Sequence, residues 1–267
     1  MSGVIIFILV TIILILLIFR KRKSQINKAK LPENFRVLLM ENVAYYRLLN
    51  EADKLRFENK IKEFLSYVRI HAVNTEIDEL DKLLVASSAV IPVFGFDWHY
   101  YNLRDVLIYA DTFSAEEYSV TSKERNILGM VGTGAMQRMM ILSKPALRRG
   151  FQHETDGTNT GIHEFVHLLD KADGEADGIP DQLLDKQYTI PWIKYMSEEI
   201  EKIKEGNSDI NIYGASNRAE FFAVAAEYFF EKPDLFKTRH PELFDLMQKV
   251  FHQEPATMKR IHKTDEE

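Results

Sequence analysis

The sequence HEFVH, residues 163 to 167, contains the residue types from which a catalytic metal site is built. On a helix, His163 and His167 point the same way, so both imidazoles can reach one ion. Glu164 lies beside them and is directed towards a water molecule on that ion. In this HExxH arrangement two neutral imidazoles bind zinc, and the glutamate takes a proton from water that the metal activates. The motif therefore predicts a zinc site with Glu164 as general base.

Chance and burial both favour a metal site over two histidines that merely share a helix face. In a chain of 267 residues with eight histidines, about 0.02 HExxH matches are expected by chance. The neighbours Phe165, Val166, Leu168 and Leu169 predict a buried helix, and a buried histidine pair without a ligand is costly. A pair satisfied within the core is the alternative. Because the chain has no cysteine, nitrogen and oxygen ligands must hold the metal.

A catalytic zinc site needs a third protein ligand, and the sequence offers two glutamates for this position. No histidine follows His167 at a short spacing, so the ligand must come from a later element. Residues 211–230, NIYGASNRAEFFAVAAEYFF, predict an apolar helix that carries Glu220 and Glu227, with Asn217 as its cap. Buried glutamates are paired or metal-bound, and a separation of seven places both on one face. Spacing alone does not choose between them.

A mainly helical α+β domain with a small sheet is the fold that the sequence predicts for residues 31–267. Apolar residues at three- and four-residue intervals predict helices between residues 32 and 91. β-Branched and aromatic runs then predict strands at DVLIYAD and QRMMILS. Helical patterns return in the second half: through HEFVH, near residues 190–204 and 217–231, and from Pro241 onward.

Three segments around the motif are open to more than one interpretation. The strand of residues 136–144 is either the edge along which an extended peptide binds or an interior strand. GMVGTGAM, residues 129–136, lacks the third glycine of a dinucleotide-binding loop, so we interpret it as a turn beside a strand. The acidic stretch DGEADGIPD, residues 173–181, does not match a calcium-binding loop and is interpreted as a solvated turn.

Residues 1–30 predict a membrane anchor followed by a basic juxtamembrane segment. Residues 4–19, VIIFILVTIILILLIF, carry no charge and with Gly3 come close to the minimum of about 17 residues for a transmembrane helix. Arg20 to Lys23 follow directly, which places the N-terminus outside and the rest of the chain in the cytoplasm. A buried core helix is the alternative. The prediction is thus a single-pass protein of the cytoplasmic membrane.

The charge of the remaining chain bears on its partners. After residue 30 there are 28 basic and 40 acidic residues, a net charge of −12. An acidic domain argues against a nucleic-acid partner, because such partners require a basic surface. The basic cluster before Leu31 is suited to anionic lipid head groups.

The pairing of HEFVHLLD with YGASNRAEFFAV resembles the zinc peptidase family of the Mlc titration factor, and also the catalytic domain of anthrax toxin lethal factor. The shared pattern is HEFxH, followed later by a tyrosine seven residues before a glutamate that opens EFFA. The resemblance runs from about residue 32 to the end of the chain. It implies His163, His167 and Glu220 as zinc ligands, Glu164 as general base, and Tyr213 as a stabiliser of the oxyanion.

The resemblance also implies a zincin-like fold and an aminopeptidase-like activity on peptides or proteins. It further implies a transcription repressor of the Mlc type as a partner. The alternative function is a regulatory protein that sequesters such a repressor, with a structural or vestigial zinc. Glu164 and Tyr213 favour the enzyme, because a structural site needs neither. Glu227 and Asp170 are candidates for orienting a ligand imidazole, although each could equally cap or pair locally.

Overall fold

The residues that the structure describes are mainly helical and contain one four-stranded sheet, which confirms the predicted α+β class. The computed structural model describes residue 7 and residues 31–111, 129–132, 137–153 and 156–256. The predicted anchor over residues 4–19 lies outside these ranges, Phe7 excepted. Within them, every helix is too short or too polar to cross a bilayer.

The secondary structure begins with helices, continues with the sheet and ends in a second group of helices. The described elements are α1 (Phe35–Asn42), α2 (Ala44–Arg47), α3 (Glu51–Tyr67), β1 (Arg69–Val73), α4 (Glu79–Val90), β2 (Asp105–Tyr109), β3 (Gly129–Val131), β4 (Met139–Ser143), α5 (Lys144–Gln152), α6 (Thr160–Asp170), α7 (Lys186–Lys204), α8 (Arg218–Glu231), α9 (Pro233–Arg239) and α10 (Pro241–Phe251). A 3₁₀ turn, Lys171–Asp173, follows α6, and a second 3₁₀ turn, Ile212–Ala215, precedes α8.

The sheet has the order β1-β2-β4-β3, with β3 antiparallel to β4 and the other pairs parallel. The prediction that the pattern between residues 32 and 91 is helical is wrong at β1. This strand has little burial of its own, with three of its five residues exposed. Its pairing with β2, more than thirty residues away, stabilises it. Such a partner leaves no signal in the local periodicity.

β4 lies between β2 and β3, so the interpretation of residues 136–144 as an edge strand is wrong. The end of the described sheet is instead β3, and Gly129–Val131 form a strand rather than the predicted turn. Gly132 N donates to Met139 O at 2.9 Å, and Met130 lies opposite Ile141. In this antiparallel register Met130 is hydrogen-bonded to β4, and the main-chain groups of Gly129 and Val131 point away from it.

Helix α6 lies at the centre of the domain, packed against α4, α5, α8 and β3. Gly161 allows the close approach of α4, because a Cβ at this position would lie 2.1 Å from Ser88 Oγ. Asn159 Oδ1 caps α6 by accepting from Ile162 N at 3.1 Å. The predicted cap of α8 is confirmed, since Asn217 Oδ1 accepts from the backbone N–H of Glu220 at 3.0 Å. Each cap contributes about 1 kcal/mol and fixes where its helix starts.

Candidate metal centre

Three side chains from α6 and α8 converge on one point. His163 Nε2 lies 2.9 Å from Glu220 Oε2 and 3.1 Å from His167 Nε2. His167 Nε2 lies 3.4 Å from the same carboxylate oxygen. Within the described part of the chain, these residues form the one His/Asp/Glu group whose donor atoms all lie within 4.8 Å of one another. The two histidines come from successive turns of α6, and the glutamate comes from the first turn of α8.

The spacing of the donors fits a tetrahedral metal ion. Ligand bonds of 2.0–2.1 Å in tetrahedral geometry place neighbouring donors about 3.3 Å apart, close to the separations of 2.9, 3.1 and 3.4 Å found here. Two imidazole lone pairs at 3.1 Å repel each other unless a proton or a metal ion lies between them. The donor set of two imidazoles and one carboxylate is the kind that binds zinc.

Glu227 holds the first imidazole in the orientation that a metal ligand needs. His163 Nδ1 lies 2.7 Å from Glu227 Oε1, so the Nδ1–H donates to this carboxylate and Nε2 is left to face the donor cluster. The other oxygen of Glu227 accepts from the backbone N–H of Asn159, the residue that caps α6. One buried carboxylate thus connects the start of α6 to its first histidine.

The local charges favour a cation at this point. Burial lowers the pKa of His163, but the carboxylates of Glu220 and Glu227 outweigh it and raise that pKa to about 10. Burial raises the pKa of Glu220, yet hydrogen bonds from His163 and His167 bring it down to about 2. The carboxylates favour a positive charge on the imidazoles, and the imidazoles favour the ionised form of Glu220, so a proton here occupies a place that a divalent metal can also take.

Glu164 lies next to the donors with its side chain buried against β3. Only 5% of the residue is exposed, and its Cγ and Oε1 lie over the backbone of Gly129. Burial raises the pKa of Glu164, and the imidazoles of His163 and His167 oppose the shift. A carboxylate with a raised pKa is a better proton acceptor, which is the property that a general base requires.

Tyr213 lies on the open side of the cluster, in the 3₁₀ turn before α8. Its ring is 6.0 Å from that of His163, centroid to centroid, and 53% of the residue is exposed. The segment leading to it is fixed by Asp209, which accepts from His240 Nε2 at 2.7 Å and from the hydroxyl of Tyr228. Burial raises the pKa of Asp209, but these two hydrogen bonds lower it overall, so the carboxylate stays ionised.

Asp170 does not orient a ligand in the described structure. It is fully buried; its Oδ2 accepts from the backbone N–H of Gly178 at 3.0 Å, and its Oδ1 has no hydrogen-bond partner among the described residues. Gly178 in turn accepts from Trp192 Nε1 at 2.7 Å, and a Cβ on it would lie 2.2 Å from Arg218 O. Asp170 therefore fixes the acidic loop against the first residue of α8.

A cleft of about 640 Å³ opens over the donors, between β3, the end of α6 and the start of α8. Gly129, Glu164 and Tyr213 line it together with the three donors. A second cavity of about 720 Å³ lies beyond Leu168 and contains none of them. The smaller cleft is therefore the candidate functional site, because it contains the donor groups.

Two residues of this site were not identified from the sequence. Asn159 could have been recognised as a helix cap, since asparagine just before an apolar helical pattern is a known start signal. Gly129 could not have been assigned to Glu164, because their contact depends on the register of β3 against β4.

Comparison with known proteins finds one matching family and several similar proteins. The model of the family described as glucose-regulated metallo-peptidase M90 matches residues 17–252. An uncharacterized protein of Synechocystis sp. is 28% identical over 247 residues, which cover 88% of this chain and 89% of the relative. Mlc titration factor A of Escherichia coli O9:H4 is 28% identical over 232 residues, covering 82% and 85%. The protein of the same name from strain K12 matches with the same identity and coverage.

The family match extends over most of the described domain and includes α6, the turn carrying Tyr213 and α8. It confirms the resemblance to the Mlc titration factor that the HEFVH and AEFF motifs predict. The chain belongs to the glucose-regulated metallo-peptidase M90 family.

Proposed function

We propose that the chain is a zinc-dependent peptidase in which His163, His167 and Glu220 bind Zn²⁺ and Glu164 is the general base. The spacing of the three donors, 2.9–3.4 Å, carries the proposal because it matches one tetrahedral ion. The buried carboxylate of Glu164, on the residue next to His163, supports catalysis rather than a structural site. A structural site has four protein ligands and needs no general base.

The reaction that this arrangement supports is hydrolysis of a peptide bond. Bound zinc supplies Lewis-acid chemistry, polarising a carbonyl group and lowering the pKa of water. Glu164 accepts a proton from the attacking water and returns it to the leaving amine. The hydroxyl of Tyr213 donates to the oxygen that becomes negative. Burial and the nearby Glu220 and Glu164 raise the pKa of Tyr213, so the phenol keeps its proton at neutral pH.

β3 is the strand along which we propose that an extended peptide binds. It borders the cleft, and the main-chain groups of Gly129 and Val131 point away from β4. A peptide that adds to this edge forms main-chain hydrogen bonds, which gives broad rather than sharp sequence preference. We propose aminopeptidase-like activity on peptides or proteins from the family resemblance. An aminopeptidase should cleave peptides with a free N-terminus but not acetylated ones, whereas internal cleavage should occur in both.

A second candidate function is the sequestration of a transcription repressor. The relatives from Escherichia coli carry the name Mlc titration factor A, which favours a repressor of the Mlc type as a partner. In that case the metal would be structural or vestigial. The exposed ring of Tyr213 and the buried carboxylate of Glu164 favour the peptidase, since repressor binding requires neither at a metal centre.

Zinc content tests the ligand set. The variants His163→Ala and Glu220→Ala should each lose most of the bound zinc, because three ligands leave no redundancy. Glu227→Ala should bind zinc about 10–100-fold more weakly but still stoichiometrically when zinc is in excess. Elemental analysis and competition with a chelator measure both effects, with the exposed Glu201→Ala on α7 as the control. Full zinc in Glu220→Ala together with loss in Glu227→Ala would reverse the assignment.

Activity tests the general base. The variant Glu164→Gln keeps the shape of the side chain but not its basicity, so kcat on fluorogenic peptides should fall by about 10²–10⁴-fold. Zinc content and Tm should remain those of the parent protein. Equal hydrolysis by the variant and the parent would exclude Glu164 as the base. Absence of hydrolysis in both, with repressor binding retained, would favour the second function.

Two proline variants test the binding edge. Val131→Pro removes an N–H that points away from β4, so KM should rise roughly tenfold, the equivalent of one hydrogen bond. Any fall in Tm should come from the loss of the buried valine side chain and not from the ladder. Met130→Pro removes an N–H of the β3–β4 ladder and leaves its acceptor unpaired, which should cost about 1–3 kcal/mol, or roughly 2–12 °C in Tm. An unchanged KM in folded Val131→Pro would contradict binding at β3.

The location of the domain is proposed from the sequence alone: residues 1–30 anchor it in the cytoplasmic membrane, and residues 31–267 face the cytoplasm. Protease added outside intact spheroplasts should leave the domain uncut, whereas lysed spheroplasts serve as the positive control. Digestion in intact spheroplasts would reverse the orientation. Recovery of the full-length chain in the soluble fraction would contradict the predicted membrane anchor.

A further inference from the structure

We propose that Gly129 is a positioning residue that sets where the carboxylate of Glu164 lies. The missing side chain of Gly129 provides the space that this carboxylate occupies, and the same residue contributes to the edge of β3. The inference rests on the proposed function, because it assigns Gly129 a role in placing the general base. It concerns a glycine whose sequence context indicated only a turn.

The first observation is steric. A Cβ at Gly129 would lie 2.6 Å from Cγ and 2.7 Å from Oε1 of Glu164, and 2.9 Å from Cγ2 of Thr160. Contacts below 3.0 Å are essentially never found for real Cβ atoms, so something must shift. Any residue other than glycine therefore competes with the general base for the same space.

The second observation concerns which of the three groups borders open space. Gly129 is fixed by the pairing of β3 with β4, in which Met130 lies opposite Ile141. Thr160 is the first residue of α6 and is held in place by the helix cap that Asn159 forms. Glu164 is buried and lines the cleft, so a rotation about its side-chain bonds would carry its carboxylate into that open space. A methyl group at position 129 is therefore relieved by moving the carboxylate, not the strand.

The third observation concerns the two sides of Gly129. The side-chain direction of its α-carbon faces Glu164, and its N–H and C=O point away from β4, to the side of β3 that no described strand pairs with. Gly129 would therefore bind the main chain of a paired peptide on one side and contact Glu164 on the other. Gly129 thus fixes the distance between the substrate main chain and the base. Misplacement of a reacting group by about 1 Å can cost about 10²-fold in rate.

Other glycines of the domain provide contrasts. At Gly161 a Cβ would meet Ser88 Oγ at 2.1 Å, so that glycine serves the packing of α6 on α4. At Gly214, beside the cleft, the nearest atoms to an added Cβ are those of Val224 at 3.5 Å, an ordinary contact. Gly214→Ala is therefore a matched control: the same added methyl group near the site, but without overlap.

The test compares Gly129→Ala with Gly214→Ala in the full chain loaded with zinc. We expect Gly129→Ala to lower kcat by roughly 10–100-fold, with KM changed less than threefold and with zinc content and Tm close to those of the parent. Gly214→Ala should match the parent throughout. Parent-like kcat in folded, zinc-loaded Gly129→Ala overturns the proposal. A rise in KM without a fall in kcat overturns it as well, because the edge alone would then be affected.

A double variant separates overlap from general damage. Aspartate is one methylene shorter than glutamate, so Glu164→Asp relieves the overlap with a methyl group at position 129. We expect Glu164→Asp to lower kcat in the parent but to cost at least fivefold less, or nothing, in Gly129→Ala. Strictly multiplicative losses overturn the proposal. If Gly129→Ala folds poorly, Glu164→Asp should restore its Tm, and failure to do so is equally contrary.

A readout without turnover distinguishes this inference from the proposed function. Crystal structures of the parent and of Gly129→Ala should differ by more than about 1 Å in the carboxylate of Glu164, with β3 in place. An unmoved carboxylate overturns the positioning role even if the peptidase activity is established. A moved carboxylate in a protein without Glu164-dependent hydrolysis overturns the proposed function and leaves the steric coupling established.

Discussion

The packing of α6 against α8 is the contact on which the rest of the site depends. It brings His163 to within 2.9 Å of Glu220, although 57 positions separate them in the chain. Gly161 on the far side of α6 lets α4 approach closely, and β3 covers a further side, so the helix has little room to rotate. Because its histidines occupy successive turns, fixing the helix also fixes their spacing. The three donors therefore meet through backbone packing.

Glu227 extends this packing into the electrostatics of the site. It lies on α8 two turns after Glu220, and it binds both the imidazole of His163 and the backbone at the capped start of α6. One helix therefore supplies a metal donor and the group that orients a second donor. Both glutamates are tolerated in an apolar helix because their charges are paired across the α6–α8 contact. When the imidazoles are neutral, the two carboxylates leave negative charge at the cluster, and this charge attracts a cation.

The sequence predicted those parts of the site that are local to one helix. His163, Glu164 and His167 lie within five consecutive positions of one helix, so the local sequence was sufficient to predict them. The Asn217 cap is likewise a local signal. The choice of Glu220 over Glu227 needed a family resemblance, because both lie on the same face. The strand β1 and the edge position of β3 could not be predicted. Their partners lie tens of residues away, and register leaves no periodic trace.

The loop after α6 has a consequence for how the protein acquires its metal. Gly178 is bound to Asp170 at the end of α6 and lies against Arg218 at the start of α8, while Trp192 of α7 holds its carbonyl. These contacts of Gly178 fix α6 and α8 relative to each other through the polypeptide alone. Small zinc modules fold only when the ion arrives. Because the polypeptide already fixes both helices here, we expect metal uptake to be a binding step separate from folding.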